Sequence, residues 1–269
     1  MRRTTFGLAG LAVVFVAGTA FMAQALAPAH SHAARPAPAV HAAPAGAAPA
    51  SFPPAQLATV VDTVMAAVPL TTQIASPKSP VGVVYWPTPG QNITGQVGAT
   101  TWGGPTALPV VRILGEWAQV RLGSRPNGST GWVRLDEVNL ITTSYRIAIS
   151  VGQRNLTLYQ SGQVIYTAPV GVGKAQWPTP LGPSYIAALV PVPPSQQRVY
   201  GPVVAITGSH SNVFQTFEGG DGTVAIHGYP SDPRSTAGVA SSHGCIRVSP
   251  QTMTALGQVP PGTPIDIIP

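Results

Sequence analysis

The chain has 269 residues, of which 8% are charged against 44% hydrophobic, and a formal net charge of +6. From Arg35 to Arg247 the basic residues stand singly, which excludes the clustered positive field that nucleic-acid binding needs. No carboxylate-rich or CxxC-like cluster is present, so neither a metal nor a cofactor is expected.

At the N-terminus, Arg2 and Arg3 precede an uncharged apolar run from Phe6 to Met22, an n-region followed by an h-region. Ala23, Ala25 and Ala27 offer small-x-small cleavage sites. The cut after Ala25 is expected, because the later one would leave Pro28 first. Residues 1–27 therefore read as a signal peptide, and the protein is expected to be exported. The alternative is an uncleaved membrane anchor, since the run of 17 residues (22 − 6 + 1) falls just short of a spanning helix. No cysteine follows the run in the position lipoprotein attachment would need.

Residues 28–70 begin with Ala and Pro almost throughout to Ala55, without apolar periodicity, as an extended tether would. His30, His32 and His41 fall here and read as solvated linker histidines. The stretch "AQLATVVDTVMAAVPL" forms either one short helix before Pro69 or an apolar lead-in.

Residues 71–140 change to short apolar runs separated by Gly, Pro, Asn and Ser. Alternation in "EWAQVRL" puts Trp117, Gln119 and Arg121 on one face and Ala118, Val120 and Leu122 on the other, and "RPNGSTGW" is the turn to the next strand. Asn127-Gly128-Ser129 matches a glycosylation sequon but reads as that turn. These features predict a small closed barrel, and "GEWAQVRL...NGSTGWV" resembles bacterial SH3-like domains.

Residues 141–269 are again strand-rich. "YRIAISVGQRNLTLYQSGQVIYTAPVGVG" reads as three strands joined by "GQRN" and "QSGQ", followed by "SYIAAL", "VVAITG", "TVAIHG" and a final "TPIDII". One helix is predicted, with Ser249 as N-cap and Pro250 at its first position, ending at Leu256 before Gly257. The fold class is mainly β, with one or a few short helices.

The single cysteine, Cys245, cannot form an internal disulfide. In an exported chain it is therefore a small buried hydrophobe, a link between chains or a reactive thiol. A thiol attacks carbonyls as thiolate and needs a base to become one. His227 ends the strand-like "TVAIH", whose alternation turns Val224 and Ile226 one way and Thr223, Ala225 and His227 the other. A histidine so fixed can serve as general base to Cys245 if the chain between them folds back. No carboxylate stands in place to orient it: Asp232 lies in the loop, and Glu218 and Asp221 precede the strand. The Gly228 carbonyl or the Ser242 hydroxyl remain as orienters. In "SSHGC", Gly244 permits a tight turn, so that the amides of His243, Gly244 and Cys245 can converge on an oxyanion. Arg247 either holds a substrate carboxylate or stabilises the loop. Tyr185, Tyr200, Phe214, Phe217, Tyr229 and Trp177 read as core side chains before groove ones.

"HG...SSHGCIRV", with the histidine 18 positions (245 − 227) before the cysteine, resembles the active-site signature of the L,D-transpeptidases, or YkuD-type domains. The similarity spans roughly residues 144 to 268, including "PVGVGKAQWPTPLG" and the closing "VPPGTPIDII". It implies a β-sandwich-like catalytic domain over 141–269 with Cys245 as nucleophile, His227 as base and Gly228 as orienter. Ser242, His243, Gly244 and Arg247 would line the site, His243 by shaping the loop. It further implies peptidoglycan tetrapeptide stems as substrate, a bacterial cell wall or extracytoplasmic location, and acylation by carbapenems. Gly228 and Arg247 depart from members that carry Ser and Asn there, which weakens transfer of fine specificity. Water in place of an acceptor amine would make the same site an L,D-carboxypeptidase. A non-catalytic wall-binding protein is the remaining alternative, against which the paired His227 and Gly244-Cys245 speak.

Overall fold

The computed structural model describes residues 69–217 and 219–269. The expected signal segment, tether and helix before Pro69 lie outside the described residues. Among the described residues, no helix is long and apolar enough to cross a membrane.

In chain order the strands are β1 (Thr72–Pro77), β2 (Val83–Tyr85), β3 (Gly95–Val97), β4 (Thr100–Thr101), β5 (Gly104–Pro105), β6 (Leu108–Leu114), β7 (Trp117–Arg121), β8 (Thr130–Arg134), β9 (Val138–Thr143), β10 (Tyr145–Ser150), β11 (Asn155–Gln160), β12 (Gln163–Pro169), β13 (Val172–Gly173), β14 (Gly182–Pro191), β15 (Val203–His210), β16 (Thr223–His227), β17 (Ala240–Ser242), β18 (Ile246–Arg247) and β19 (Pro264–Ile268). Among the described residues two short α-helices, α1 (Gln197–Tyr200) and α2 (Pro250–Leu256), interrupt them.

The first sheet has the order β8-β7-β6-β1-β9 and is antiparallel throughout, flanked by the short ladders β2–β3 and β4–β5. Alternation along β7 is as the sequence predicts: Ala118, Val120 and the following Leu122 are buried, while Trp117, Gln119 and Arg121 are half-buried. The Asn127-Gly128-Ser129 segment forms the connection from β7 to β8. β9 runs on to Thr143, pairing with β1 along its whole length, and β10 starts two residues later.

The second, curled sheet has the order β12-β11-β10-β19-β14-β15-β16-β18. β10, β11 and β12 form an antiparallel meander over the three strands predicted there, and β19 joins β10 in parallel. Helix α2 matches its predicted bounds: the Ser249 hydroxyl accepts the Thr252 N–H, Pro250 takes the first position, and Gly257 follows the last turn. It buries Met253 and Leu256 in the core behind the sheet.

β14, β15 and β16 are covered on both faces. Ile186, Ala205, Val224 and Ile226 enter one core with β10, β11, β19 and α2. Their neighbours Tyr185, Ala187, Val204, Ile206 and Ala225 enter a second core with Ala75, Val83, Leu108, Ala118, Val120 and Val133 of the N-terminal region. That region thus completes the core of the C-terminal sheet.

Tyr185 is buried at this seam, which raises its phenol pKa to about 12 against the opposing charge of Arg121. A Cβ on Gly208 would stand 2.3 Å from the Tyr185 ring, so the ring lies directly on the glycine backbone. Gly208→Ala is expected to destabilise the protein by about 1–3 kcal/mol through overpacking. Urea denaturation should show a lower midpoint, with a smaller effect of the same substitution in a Tyr185→Ala background.

Candidate active site

The parallel ladder between β16 and β18 brings the sequence-predicted residues into one neighbourhood. Its register pairs Ile226 with Ile246 and His227 with Arg247, on strands that run about 4.8 Å apart. Cys245 stands one residue before β18. Strand alternation puts it on the same side as Ala225 and His227, and both Ala225 and Cys245 pack in the second core. Cys245 is in no disulfide and is half-buried.

His227 is buried at 4% exposure, and its Nδ1 lies 2.5 Å from the carbonyl oxygen of Gly228. A carbonyl only accepts, so Nδ1 carries the hydrogen and Nε2 is left as the basic nitrogen. Burial pushes the imidazole pKa down to about 4; the hydrogen bond to Gly228 opposes this and the nearby Arg247 guanidinium adds to it. The histidine is therefore neutral at physiological pH, with one fixed tautomer. The ring of Tyr200 meets it edge-on at 5.0 Å.

Of the two orienters open at the sequence level, the Gly228 carbonyl holds the position. The Ser242 hydroxyl is engaged elsewhere: it donates to the Cys245 carbonyl at 2.6 Å and accepts the Gly244 N–H at 3.1 Å. The Gly244 amide is accordingly used inside the turn, so it is not available beside those of His243 and Cys245 as an oxyanion donor. Gly244 has φ of +123°, a conformation that demands glycine. Asp221 is directed away from His227, pairing with His210 at 3.0 Å and with the Thr223 hydroxyl.

The turn is gripped from a second side by the "PVGVGKAQWPTPLG" segment, in which Thr179 carries no signal of such a role. β13 pairs in parallel with β17, and the Lys174 N–H donates to the Ser242 carbonyl. Buried Thr179 donates from Oγ1 to the Gly244 carbonyl and accepts the Gly173 N–H, both at 2.9 Å. In sequence, a threonine between Pro178 and Pro180 carries the signal of a turn and none of its partner 65 residues away.

Arg247 lies with its guanidinium 3.9 Å above the Tyr229 ring and donates from Nη1 to the Ser241 hydroxyl at 3.2 Å, while its main chain pairs with Gly171. His243 is exposed and stacks on Trp177, with ring centroids 4.1 Å apart at 23°. Phe217 and Phe214 complete this aromatic group, at 5.4 and 6.2 Å from His243. Of the six aromatics read as core before groove, Tyr185 alone is fully in the core. The others surround His227 or His243.

The arrangement provides a half-exposed thiol, a neutral base on the adjoining strand and a braced turn, the parts that acyl transfer requires. The family model of the YkuD L,D-transpeptidase catalytic domain matches residues 144–267. A Bacillus licheniformis protein named as a YkuD L,D-transpeptidase is 32% identical over 129 residues, which cover 48% of this chain and 68% of that one. Its namesake in Bacillus subtilis is 35% identical over 127 residues, 47% of this chain and 67% of that one. Among solved structures, an L,D-transpeptidase from Mycobacterium smegmatis aligns at a TM-score of 0.39 and 20% identity, covering 59% of this chain and 80% of its own. With its catalytic domain in the second sheet, the chain belongs to the L,D-transpeptidase family of acyltransferases.

Proposed function

We propose that the protein is exported and forms 3→3 cross-links in peptidoglycan, taking tetrapeptide stems through a thioester on Cys245. The Cys245 sulfur attacks the carbonyl carbon of the third stem residue while the thiol proton passes to Nε2 of His227. The tetrahedral adduct collapses, the C–N bond to the terminal D-alanine breaks, and its amine leaves with the proton from His227. An amine of a second stem then attacks the thioester, gives up its proton through His227 and forms the new peptide bond as the thiol is restored. Gly228 orients the base, and Ser242, His243, Gly244 and Arg247 shape the wall around the reacting carbonyl. In this reading residues 1–27 direct export to the cell wall, residues 28–70 are a tether and residues 71–140 form an SH3-like module.

The observation that carries this reading is the state of His227. A buried neutral imidazole, with Nδ1–H committed to a backbone carbonyl, has only Nε2 left to take a proton. A histidine that served only to fill space would need no such fixed tautomer.

Incubation with a tetrapeptide-stem muropeptide, followed by mass spectrometry, is expected to give cross-linked dimer and released D-alanine, and none of either with Cys245→Ala. Release of D-alanine without dimer would assign the carboxypeptidase reaction instead. Imipenem is expected to add one covalent mass at Cys245, with its β-lactam C–N bond opening as the thioester forms. Equal labelling of Cys245→Ala would refute the assignment.

The base function depends on neutral imidazole, so it is present above the folded pKa and lost as pH falls through it. Acylation of Cys245 is therefore expected to stay level down to about pH 5 and to fall about tenfold per unit below about pH 4. An acid limb centred near 6.5, the ordinary imidazole value, would contradict a desolvated base. Thr179→Val leaves the Gly173 amide and the Gly244 carbonyl unpaired and is expected to cost about 1–3 kcal/mol of stability and to slow acylation. Thr179→Ser should preserve both.

A further inference from the structure

The loop of residues 211–222 joins β15 to β16, the strand that ends in His227. Its shape is set from outside the catalytic domain. Arg125, in the turn between β7 and β8, donates from Nη1 to the Ser211 carbonyl at 2.7 Å and from Nη2 to the Phe214 and Asp221 carbonyls at 2.8 Å each. Two of these acceptors lie in the first four residues of the loop and the third next to its last, so one guanidinium ties the two ends of the loop together. Two residues on, Asn127 pairs with the main chain of His210 as a strand would, donating to the carbonyl and accepting the N–H, both at 2.7 Å. Gly222 leaves the space this needs. With φ of +73°, a Cβ there would stand 2.5 Å from the Phe214 carbonyl and 3.1 Å from Arg125 Nη2.

The loop carries Phe214 and Phe217, whose rings lie 5.2 Å apart. Phe217 packs against His243 at 5.4 Å and Phe214 against Trp177 at 6.1 Å, while His243 belongs to the turn that presents Cys245. A continuous path therefore runs from Arg125 through the loop carbonyls and the two phenylalanines to the rim of the thiol site.

We propose that Arg125 is a positioning residue for acyl transfer: by holding the 211–222 loop it seats the aromatic rim on which the donor's peptide rests beyond the reacting carbonyl. This rests on the acyl-transfer reading of Cys245. Charged donors to carbonyls are the stronger hydrogen bonds, and the planar fork loses little freedom in making three of them. Without it, a loop of this length would regain conformational entropy and the rim would disperse.

The test compares the full chain with Arg125→Ala, Arg125→Lys and Gly222→Ala by hydrogen exchange and by two reagents for Cys245. Iodoacetamide needs only the thiol, whereas imipenem must also be seated. Arg125→Ala is expected to raise exchange in residues 211–222 by about tenfold or more while β10 and β14 stay protected, which also shows that the variant is folded. It should raise the half-saturating imipenem concentration about tenfold, with the maximal acylation rate and the iodoacetamide rate within about twofold of wild type. Arg125→Lys, a single point charge in place of the fork, should fall between, and Gly222→Ala should reproduce the effect with Arg125 intact. Unchanged exchange in 211–222, or equal slowing of both reagents, would overturn the proposal. A wild-type protein that iodoacetamide labels and imipenem does not would instead overturn acyl transfer itself, and the exchange measurement would still decide whether Arg125 holds the loop.

Discussion

Everything at the site depends on β14, β15 and β16 being buried on both faces. One face closes over Ile147, Leu158, Ile226 and Ile246, the other over Val120, Tyr185, Val204 and Ala225. A sheet held from both sides has little freedom to twist or slip, so the β16–β18 ladder has one register, and that register puts a thiol and an imidazole on one side of neighbouring strands. The N-terminal region is thus more than an appendage to the catalytic domain, because its apolar residues share a core with Ala225 of the strand bearing His227.

The electrostatics follow from the same burial. Removing His227 from water lowers its affinity for a proton, and among the described residues no carboxylate acts to restore it. In the proposed reaction, the proton therefore reaches this imidazole only as the sulfur attacks. The positive charge of Arg247, stacked on Tyr229, acts in the same direction.

Much of this was legible in the sequence because the signals are local. The Ser249-Pro250 start of α2 is a capping interaction within four residues, and alternation in β7 and β16 sorts side chains by a period of two. Gly244 was recognisable because glycine alone readily takes the positive φ of the tight turn before Cys245. What was not legible is long-range. Thr179 reaches Gly244, and Arg125 reaches residues 211, 214 and 221, through folds of the chain that no local pattern encodes. Two-sided burial of β14 was hidden too, since "SYIAAL" reads the same against one core or two. The three amides of "SSHGC" do not all converge for the same reason: sequence does not reveal that a buried serine hydroxyl already claims the middle one.

The partner of His227 Nδ1 is a peptide oxygen, which belongs to the backbone and not to any codon. No single missense change can delete it, in contrast to an aspartate, which one nucleotide substitution removes. Drift at position 228 can alter how much room surrounds the ring while leaving its tautomer intact. Under the proposed mechanism, inactivation by mutation should therefore accumulate at the thiol, the imidazole and the loop geometry, and variants of residue 228 should survive as functional polymorphisms.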